Sequence, residues 1–142
     1  MIRTLYHGTC SALRPGIERE GALQPKRGNK YVYVTTDYDV AKNYARAWTA
    51  WSIENADDIT EATGKRPEPK GIIIELKLDD EFIENDEYNP EGEPNQYTVE
   101  GNLYLDDATV SEVDFTELFS DQTELMKAYA YWIGIGRAND NG

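Results

Sequence analysis

The stretch Leu5-Tyr6-His7-Gly8-Thr9 lies near the start of the chain and contains the only histidine in its 142 residues. It follows an apolar run from Ile2 to Tyr6, whose alternation predicts a short, edge-length strand that ends at the histidine. A glycine directly after the histidine leaves the backbone without side-chain cover, so a ligand can approach the peptide closely. The alternative is that His7 is only a polar strand-end residue, satisfied by a neighbouring carbonyl group.

The composition is typical of a water-soluble globular protein, with 39% hydrophobic and 29% charged residues. The length predicts a single domain, residues 1–142, with a core of its own. No apolar run approaches the roughly 20 residues that a membrane span needs. No apolar stretch near the N-terminus has the length of a signal peptide. We therefore predict a cytoplasmic protein with no membrane partner.

The chain has one cysteine, Cys10, which cannot form an internal disulfide, and this favours a reducing compartment. Cys10 is a weak candidate nucleophile, because the chain has no second histidine that could act as its base. We find neither a P-loop nor a dinucleotide GxGxxG motif, and no Cys/His spacing typical of a metal site. The sequence therefore predicts no bound metal.

Charge is unevenly distributed along the chain, whose formal net charge is −13. Residues 1–50 contain eight basic and four acidic residues, whereas the remaining 92 contain six basic and 23 acidic residues. The first third can therefore attract an anion, and the rest repels nucleic acid. General solubility would explain an acidic total, but it would not explain this split.

Apolar periodicity and turn residues predict five or six short strands and two or three helices. The clearer strands after the first are Tyr31–Thr35, Gly71–Leu78, Gln96–Leu105 with a kink at Gly101, and Ala108–Val113. Helices are predicted within Ser11–Gly21, over Tyr38–Ile53 and within Thr116–Trp132. Residues 57–70 are predicted to begin as a fraying helix and end as a loop, and residues 79–95 to form a mobile acidic loop.

The second of these helices is predicted to follow a cap at Thr36 or Asp37. Its core-facing stripe is predicted to be Val40, Ala41, Tyr44, Ala47, Trp48 and Trp51.

Three separated positions carry the functional signal: His7, Tyr33 and Gln96. Each is weak alone, because an aromatic residue in a strand usually belongs to the core and a glutamine before a strand is usually solvated. Together they resemble the ADP-ribosyltransferase superfamily, in its diphtheria-toxin-like branch, which includes the poly(ADP-ribose) polymerases.

The resemblance rests on three motifs. That branch has a histidine in a Tyr/Trp-His-Gly-Ser/Thr strand, which His7-Gly8-Thr9 matches. It has a tyrosine in a second strand, followed eleven residues later by the tyrosine of an Asn-Tyr pair, which Tyr33 and Tyr44 match. Its third motif is Asn-Glu-Tyr, and here Asn95-Gln96-Tyr97 has glutamine in place of glutamate.

The resemblance implies an α+β fold in which split antiparallel β-sheets enclose an NAD cleft, with short flanking helices. It implies NAD as co-substrate and His7, Tyr33 and Gln96 as the catalytic residues. His7 would hold a ribose hydroxyl, and the backbone of Gly8, with Thr9 beside it, would pair with the nicotinamide carboxamide. Tyr33 and Tyr44 would sandwich the nicotinamide ring, a contact that contributes about 1 kcal/mol.

The chain departs from the family pattern at three positions. Gln96 keeps the hydrogen bond to the ribose but supplies no negative charge to the transition state. Ala41 stands where the family often has a hydroxyl donor, so Thr35 or Thr36 would have to replace it. Glu100 falls on the same strand face as Gln96, ~13 Å along the strand. It is an alternative third catalytic residue, although a solvated acid is the simpler interpretation.

The family and the charge split together predict how NAD is bound and used. The diphosphate would contact basic residues of the first third, with arginines suited to bidentate pairing. The candidates are Arg14, Arg19, Lys26, Arg27 and Lys30.

The predicted activity is NAD-dependent mono-ADP-ribosyl transfer to a macromolecular acceptor, a protein rather than a nucleic acid. The chain size would suit a phage or toxin-type effector. The alternatives are an NAD glycohydrolase and a non-catalytic acidic interaction protein.

Overall fold

The structure is a computed structural model that describes residues 1–25, 30–85 and 96–130. The strands, in chain order, are β1 (Ile2–Cys10), β2 (Ala22–Leu23), β3 (Tyr31–Thr35), β4 (Gly71–Asp79), β5 (Glu84–Asn85), β6 (Gln96–Glu100), β7 (Leu103–Tyr104) and β8 (Thr109–Val113). The helices are α1 (Arg14–Glu20), α2 (Tyr38–Glu54), α3 (Ala56–Thr63), α4 (Phe115–Leu118) and α5 (122–130). The α+β class with antiparallel sheets is therefore as predicted.

Six strands form one antiparallel sheet in the order β5-β6-β3-β1-β4-β8, and β2 pairs with β7 in a separate ribbon. The prediction of a short strand that ends at His7 is wrong. β1 has nine residues and is central, because it pairs along its whole length with β4, from Ile2↔Asp79 to Cys10↔Gly71. His7 thus lies within β1 and not at its end.

β1 and β3 are joined in register at one position, Tyr6↔Thr35. β3 continues from there as the partner of β6, with Tyr33↔Thr98 and Thr35↔Gln96. Beyond the Tyr6 pair, the remaining residues of β3 therefore have their register partners on β6 and not on β1. The sheet therefore consists of two three-stranded halves, β5-β6-β3 and β1-β4-β8, which meet between β3 and β1.

Two apolar clusters lie on opposite faces of this sheet. One gathers branched side chains of β1, β3, β4 and β6 with Leu23 and Leu103 of the small ribbon. The other packs alanines of α2 against Ile73 of β4 and side chains of the C-terminal helices. Since strand neighbours alternate between faces, Tyr6 and Gly8 lie on the α2 face and Leu5 on the other.

Helix α2 forms almost as predicted, and Asp37 is its N-cap, because its carboxylate accepts from the backbone N–H of Asp39 at 2.9 Å. The predicted aromatic stripe is only partly correct. The buried positions of α2 are mostly small, whereas Trp48 and Trp51 are half-buried and meet edge to face with centroids 5.4 Å apart. Small side chains let the helix axis approach the sheet closely.

Most other element predictions are confirmed within the described residues. Gly21 ends α1 in the left-handed region at φ 64°. Gly101, at φ 80°, separates β6 from β7 and so divides the single strand predicted there. None of the described helices has the length and apolarity to cross a membrane. Most of the predicted acidic loop and the end of the chain lie outside the described residues.

Candidate active site

His7 connects the two halves of the sheet through its side chain. It is half-buried, and its Nδ1 lies 2.8 Å from the carbonyl oxygen of Tyr33. A carbonyl oxygen can only accept, so Nδ1 carries the proton and the neutral ring has its acceptor lone pair at Nε2. The contact is to the main chain of β3 and not to the tyrosine ring.

Tyr44 and Gln96 form the second contact between predicted site residues. The Tyr44 hydroxyl donates to Oε1 of Gln96 at 2.5 Å, linking helix α2 to the first residue of β6. Gln96 is 8% exposed, so its amide is held in a largely dry environment. Asn95 of the same motif lies outside the described residues.

The register of β3 sets these two contacts beside each other. Tyr33 stands opposite Thr98 and Thr35 opposite Gln96, while Thr35 is also the partner of Tyr6. His7 follows Tyr6 directly, so both contacts fall at the boundary between β1 and β3. The structure therefore pairs His7 with the main chain of Tyr33 and Tyr44 with Gln96, and the strand register places both contacts near the boundary between β1 and β3.

Gly8 and Thr9 are buried, and the reason for the glycine differs from the predicted one. A Cβ on Gly8 would lie 1.9 Å from the carbonyl oxygen of Ala41 and 2.9 Å from the nitrogen of Ala45. The side of Gly8 that was expected to admit a ligand is therefore covered by the backbone of α2. Thr9, 2% exposed, lies on the opposite face of β1 by strand alternation.

The structure does not bring Arg14 to this region. Its guanidinium pairs with Glu18 at 2.7 Å and with Glu112 of β8 at 3.0 Å. Since β8 is at the edge of the sheet farthest from β6, the predicted diphosphate contact at Arg14 has no support from its position.

The other basic candidates are spread over the surface or lie outside the described part of the chain. The side chain of Arg19 is 76% exposed and lies near Glu20 at 3.8 Å. Lys30 is exposed at the start of β3, and its carbonyl oxygen accepts from Gly101. Lys26 and Arg27 are not among the described residues.

The structure also shows the surroundings of three other candidate residues, Cys10, Thr35 and Glu100. Cys10 is fully buried, and burial raises the pKa of its thiol to about 11, so it is a poor nucleophile. The Thr35 hydroxyl accepts from the backbone N–H of Asp37 at 3.0 Å, which fixes the turn into α2. Glu100 is exposed at the end of β6, as a solvated acid would be.

Sequence reasoning missed Tyr6 and Glu75, which face each other across β1 and β4 on the α2 face. The ring of Tyr6 also meets Tyr38 edge to face, with centroids 5.6 Å apart. Tyr6 belongs to the predicted apolar run Ile2–Tyr6 and Glu75 to the predicted strand Gly71–Leu78, and no motif singles out either residue. The signal for Glu75 in the sequence was the presence of a carboxylate within the β-branched run of residues 71–78.

Comparison of the chain with protein-family models, with curated proteins and with solved structures gives no match. The resemblance to ADP-ribosyltransferases therefore rests on the quoted motifs and on the positions of their residues. Among the described residues, no group of three or more His, Cys, Asp or Glu side chains could hold a metal ion.

Proposed function

We propose that the protein is an NAD-dependent mono-ADP-ribosyltransferase that acts on a protein acceptor. The observation that carries this proposal is a pair of hydrogen bonds, His7 to the Tyr33 carbonyl and Tyr44 to Gln96. They join, in two separate pairs, the four residues that the family resemblance selects from the sequence. Two of the four were selected from β1 and β6, which lie on opposite sides of β3.

The residue chemistry fits a nicotinamide riboside. The hydrogen bond from Nδ1 holds the His7 ring in one orientation, and Nε2 can accept from a ribose hydroxyl. The aromatic rings of Tyr33 and Tyr44 offer faces for stacking against nicotinamide. The amide NH₂ of Gln96 is a donor suited to a ribose hydroxyl, and its carbonyl oxygen accepts from the Tyr44 hydroxyl.

NAD would supply the reactive bond between nicotinamide and ribose, whose cleavage develops positive charge at the ribose. Gln96 orients the sugar but adds no negative charge to that transition state. An amide also cannot take a proton from a second ribose, so chain elongation is not supported. We therefore expect single ADP-ribose units as product and no polymer.

Incubation with NAD labelled on its adenylate, with and without cell lysate, tests the proposal. Label on protein is the expected result. Free ADP-ribose without labelled protein would instead indicate a glycohydrolase, and intact NAD would favour the acidic interaction protein.

The role of His7 is tested with the variant His7→Ala, whose folding is checked by circular dichroism. We expect His7→Ala to lose NAD cleavage while keeping its fold, because a half-buried polar side chain contributes little packing. Unchanged NAD cleavage in this variant would remove His7 from the mechanism.

A further inference from the structure

Strand β8 leaves one edge of the six-stranded sheet open. It pairs with β4 along its whole length, and no other described strand lies on its far side. Four of its five residues are exposed, and only Val113 is buried. The outer edge therefore presents alternate backbone N–H and C=O groups that no strand of the described chain pairs.

The sequence of β8 favours pairing with a further strand. Three of its five residues are β-branched, and it contains no proline, glycine or lysine that would disfavour an added neighbour. Its only charged residue, Glu112, is paired with Arg14 at 3.0 Å and with Lys70 at 3.3 Å. Edge strands usually carry such protective residues, so an edge without them is typical of a binding surface.

Carboxylates without ion-pair partners lie at both ends of β8. Asp106 and Asp107 form the turn before it, and Asp114 follows its last residue. All three are exposed, and the ion pairs of the described residues include none of them. The side chain of Asp114 also makes no capping hydrogen bond to α4. The edge is therefore bounded at each end by negative charge.

We propose that the outer edge of β8 binds an extended segment of a partner protein that has basic residues on both sides of its central residues. Main-chain hydrogen bonds add this segment to the sheet as a further strand. Its basic side chains pair with Asp106 and Asp107 at one end and with Asp114 at the other. The five residues of β8 span about 17 Å, so a core of similar length fits between the basic groups. This inference does not depend on NAD cleavage.

The same charges disfavour a second copy of this chain as the occupant. Antiparallel pairing of two β8 strands about a two-fold axis would place Asp106 and Asp107 of one copy beside Asp114 of the other. Each copy also has a net charge of −13, which opposes association of the two. A nucleic acid would be repelled in the same way.

The side chains of β8 determine which neighbours the added strand favours. Val110 stands opposite Ile74 and is 39% exposed, so an apolar neighbour on that face would bury it. Ser111 stands opposite Ile73 on the α2 face, where its hydroxyl can pair with that of a threonine or serine. We therefore expect the bound segment to alternate apolar β-branched residues with hydroxyl residues between its basic ends.

The test measures binding of a fluorescent synthetic peptide to the full chain. The peptide alternates valine with threonine and has two lysines at each end. Fluorescence anisotropy gives the affinity, and hydrogen exchange followed by NMR locates the bound peptide. We expect saturable binding that protects those amides of residues 109–113 that exchange rapidly in the free protein. The same peptide with N-methylated central residues should not bind, because it lacks the main-chain donors.

The triple variant Asp106→Asn, Asp107→Asn and Asp114→Asn tests the charge complementarity. It removes the proposed ion pairs and should weaken peptide binding about tenfold, because exposed pairs each contribute only modestly. Asparagine caps a helix as well as aspartate does, so α4 should form unchanged.

The matched control removes three exposed carboxylates from α2 and α3, through Glu54→Gln, Asp58→Asn and Glu61→Gln. This variant should bind the peptide about as tightly as the parent. Equal affinity of the two triple variants would overturn the proposal, as would absence of saturable binding or parent-like binding of the N-methylated peptide. Protection of every β8 amide in the free monomer would show that the chain itself covers the edge. A concentration-dependent dimer with protected β8 amides would assign the edge to a second copy, and either result would also overturn the proposal.

Discussion

At the scale of single residues, the close packing of α2 against β1 requires a glycine at position 8. Its missing Cβ leaves room for the Ala41 carbonyl oxygen, which would lie 1.9 Å from any Cβ at that position. We expect Gly8→Ala to lower the free energy of unfolding by at least the 1–3 kcal/mol typical of about one excess methyl group in a packed core. Urea denaturation followed by circular dichroism measures the change.

Gly16→Ala in α1 is the matched control for that experiment. The nearest atom to its added Cβ, apart from the chain neighbours and the helix backbone, is 3.7 Å away, on Arg19. Alanine is favoured over glycine within a helix by about 1 kcal/mol, so this variant should be as stable as the parent or more so. A Gly8→Ala variant as stable as Gly16→Ala would contradict the close approach of α2 to β1.

Gln96 is the residue that most directly determines the proposed chemistry. Gln96→Glu keeps an acceptor for the Tyr44 hydroxyl and adds a negative charge near the ribose, so NAD turnover should stay level or rise. Gln96→Ala removes the ribose contact, and losing such a donor costs about 10²-fold in rate. Initial rates of nicotinamide release measure both effects. If Gln96→Ala matched the parent while Glu100→Ala was inactive, Glu100 would be the third catalytic residue.

At the scale of elements, Glu124 ties the C-terminal helix to α2. Its carboxylate accepts from the Ser120 N–H at 2.8 Å and pairs with Arg46 of α2 at 3.4 Å. The Ser120 hydrogen bond and, to a lesser degree, Arg46 hold the pKa of Glu124 below its usual value. A carboxyl whose pKa is lower in the folded state stabilises that state at neutral pH, and this contribution disappears as the pH falls through the lowered pKa.

We therefore expect Glu124→Gln to be less stable than the parent at neutral pH and equal to it in acid. Urea denaturation at the two pH values measures this difference, with the exposed Glu117→Gln as the control. A stability difference that persisted in acid would show that the carboxylate acts through packing and not through its charge.

The elements that could be predicted from sequence are those whose pattern is set by their own residues. The β-branched runs of β3 and β4 and the capped start of α2 needed no tertiary information. The end of β1 could not be predicted, because Gly8 and Cys10 are small residues on the face that α2 covers, and that contact is not visible in the local sequence. The same contact explains why alanines of α2 are buried where aromatic residues were expected.

The candidate site was predictable to a similar degree. Family motifs selected His7, Tyr33, Tyr44 and Gln96, whose contacts then emerged from the fold. Arg14 was selected for its charge alone, and charge does not specify which edge of a sheet a residue reaches. The pairing of Tyr6 with Glu75 depends on the register between β1 and β4, which the local sequence does not encode.

At the scale of the whole molecule, Cys10 reports on global unfolding. It is fully buried between the sheet and α2, and its pKa of about 11 leaves very little thiolate at neutral pH. We expect an aromatic disulfide reagent to label the folded protein only as fast as the protein unfolds. Raising the urea concentration should therefore speed labelling in parallel with the loss of circular dichroism. Rapid labelling without denaturant would show that Cys10 becomes accessible through local opening.

The central position of β1 also governs the order in which the protein can fold. Ile2 pairs with Asp79, 77 positions further along the chain, and β4 is in turn covered by β8 at residues 109–113. β1 pairs with β3 only at Tyr6↔Thr35, so after its own synthesis it must wait for residues 71–79 before it gains the neighbour that pairs along its whole length. Contacts of such long sequence separation slow folding, so we expect refolding in milliseconds to seconds and not in microseconds. During synthesis, the apolar face of β1 is a natural target for a chaperone until residue 79 has emerged.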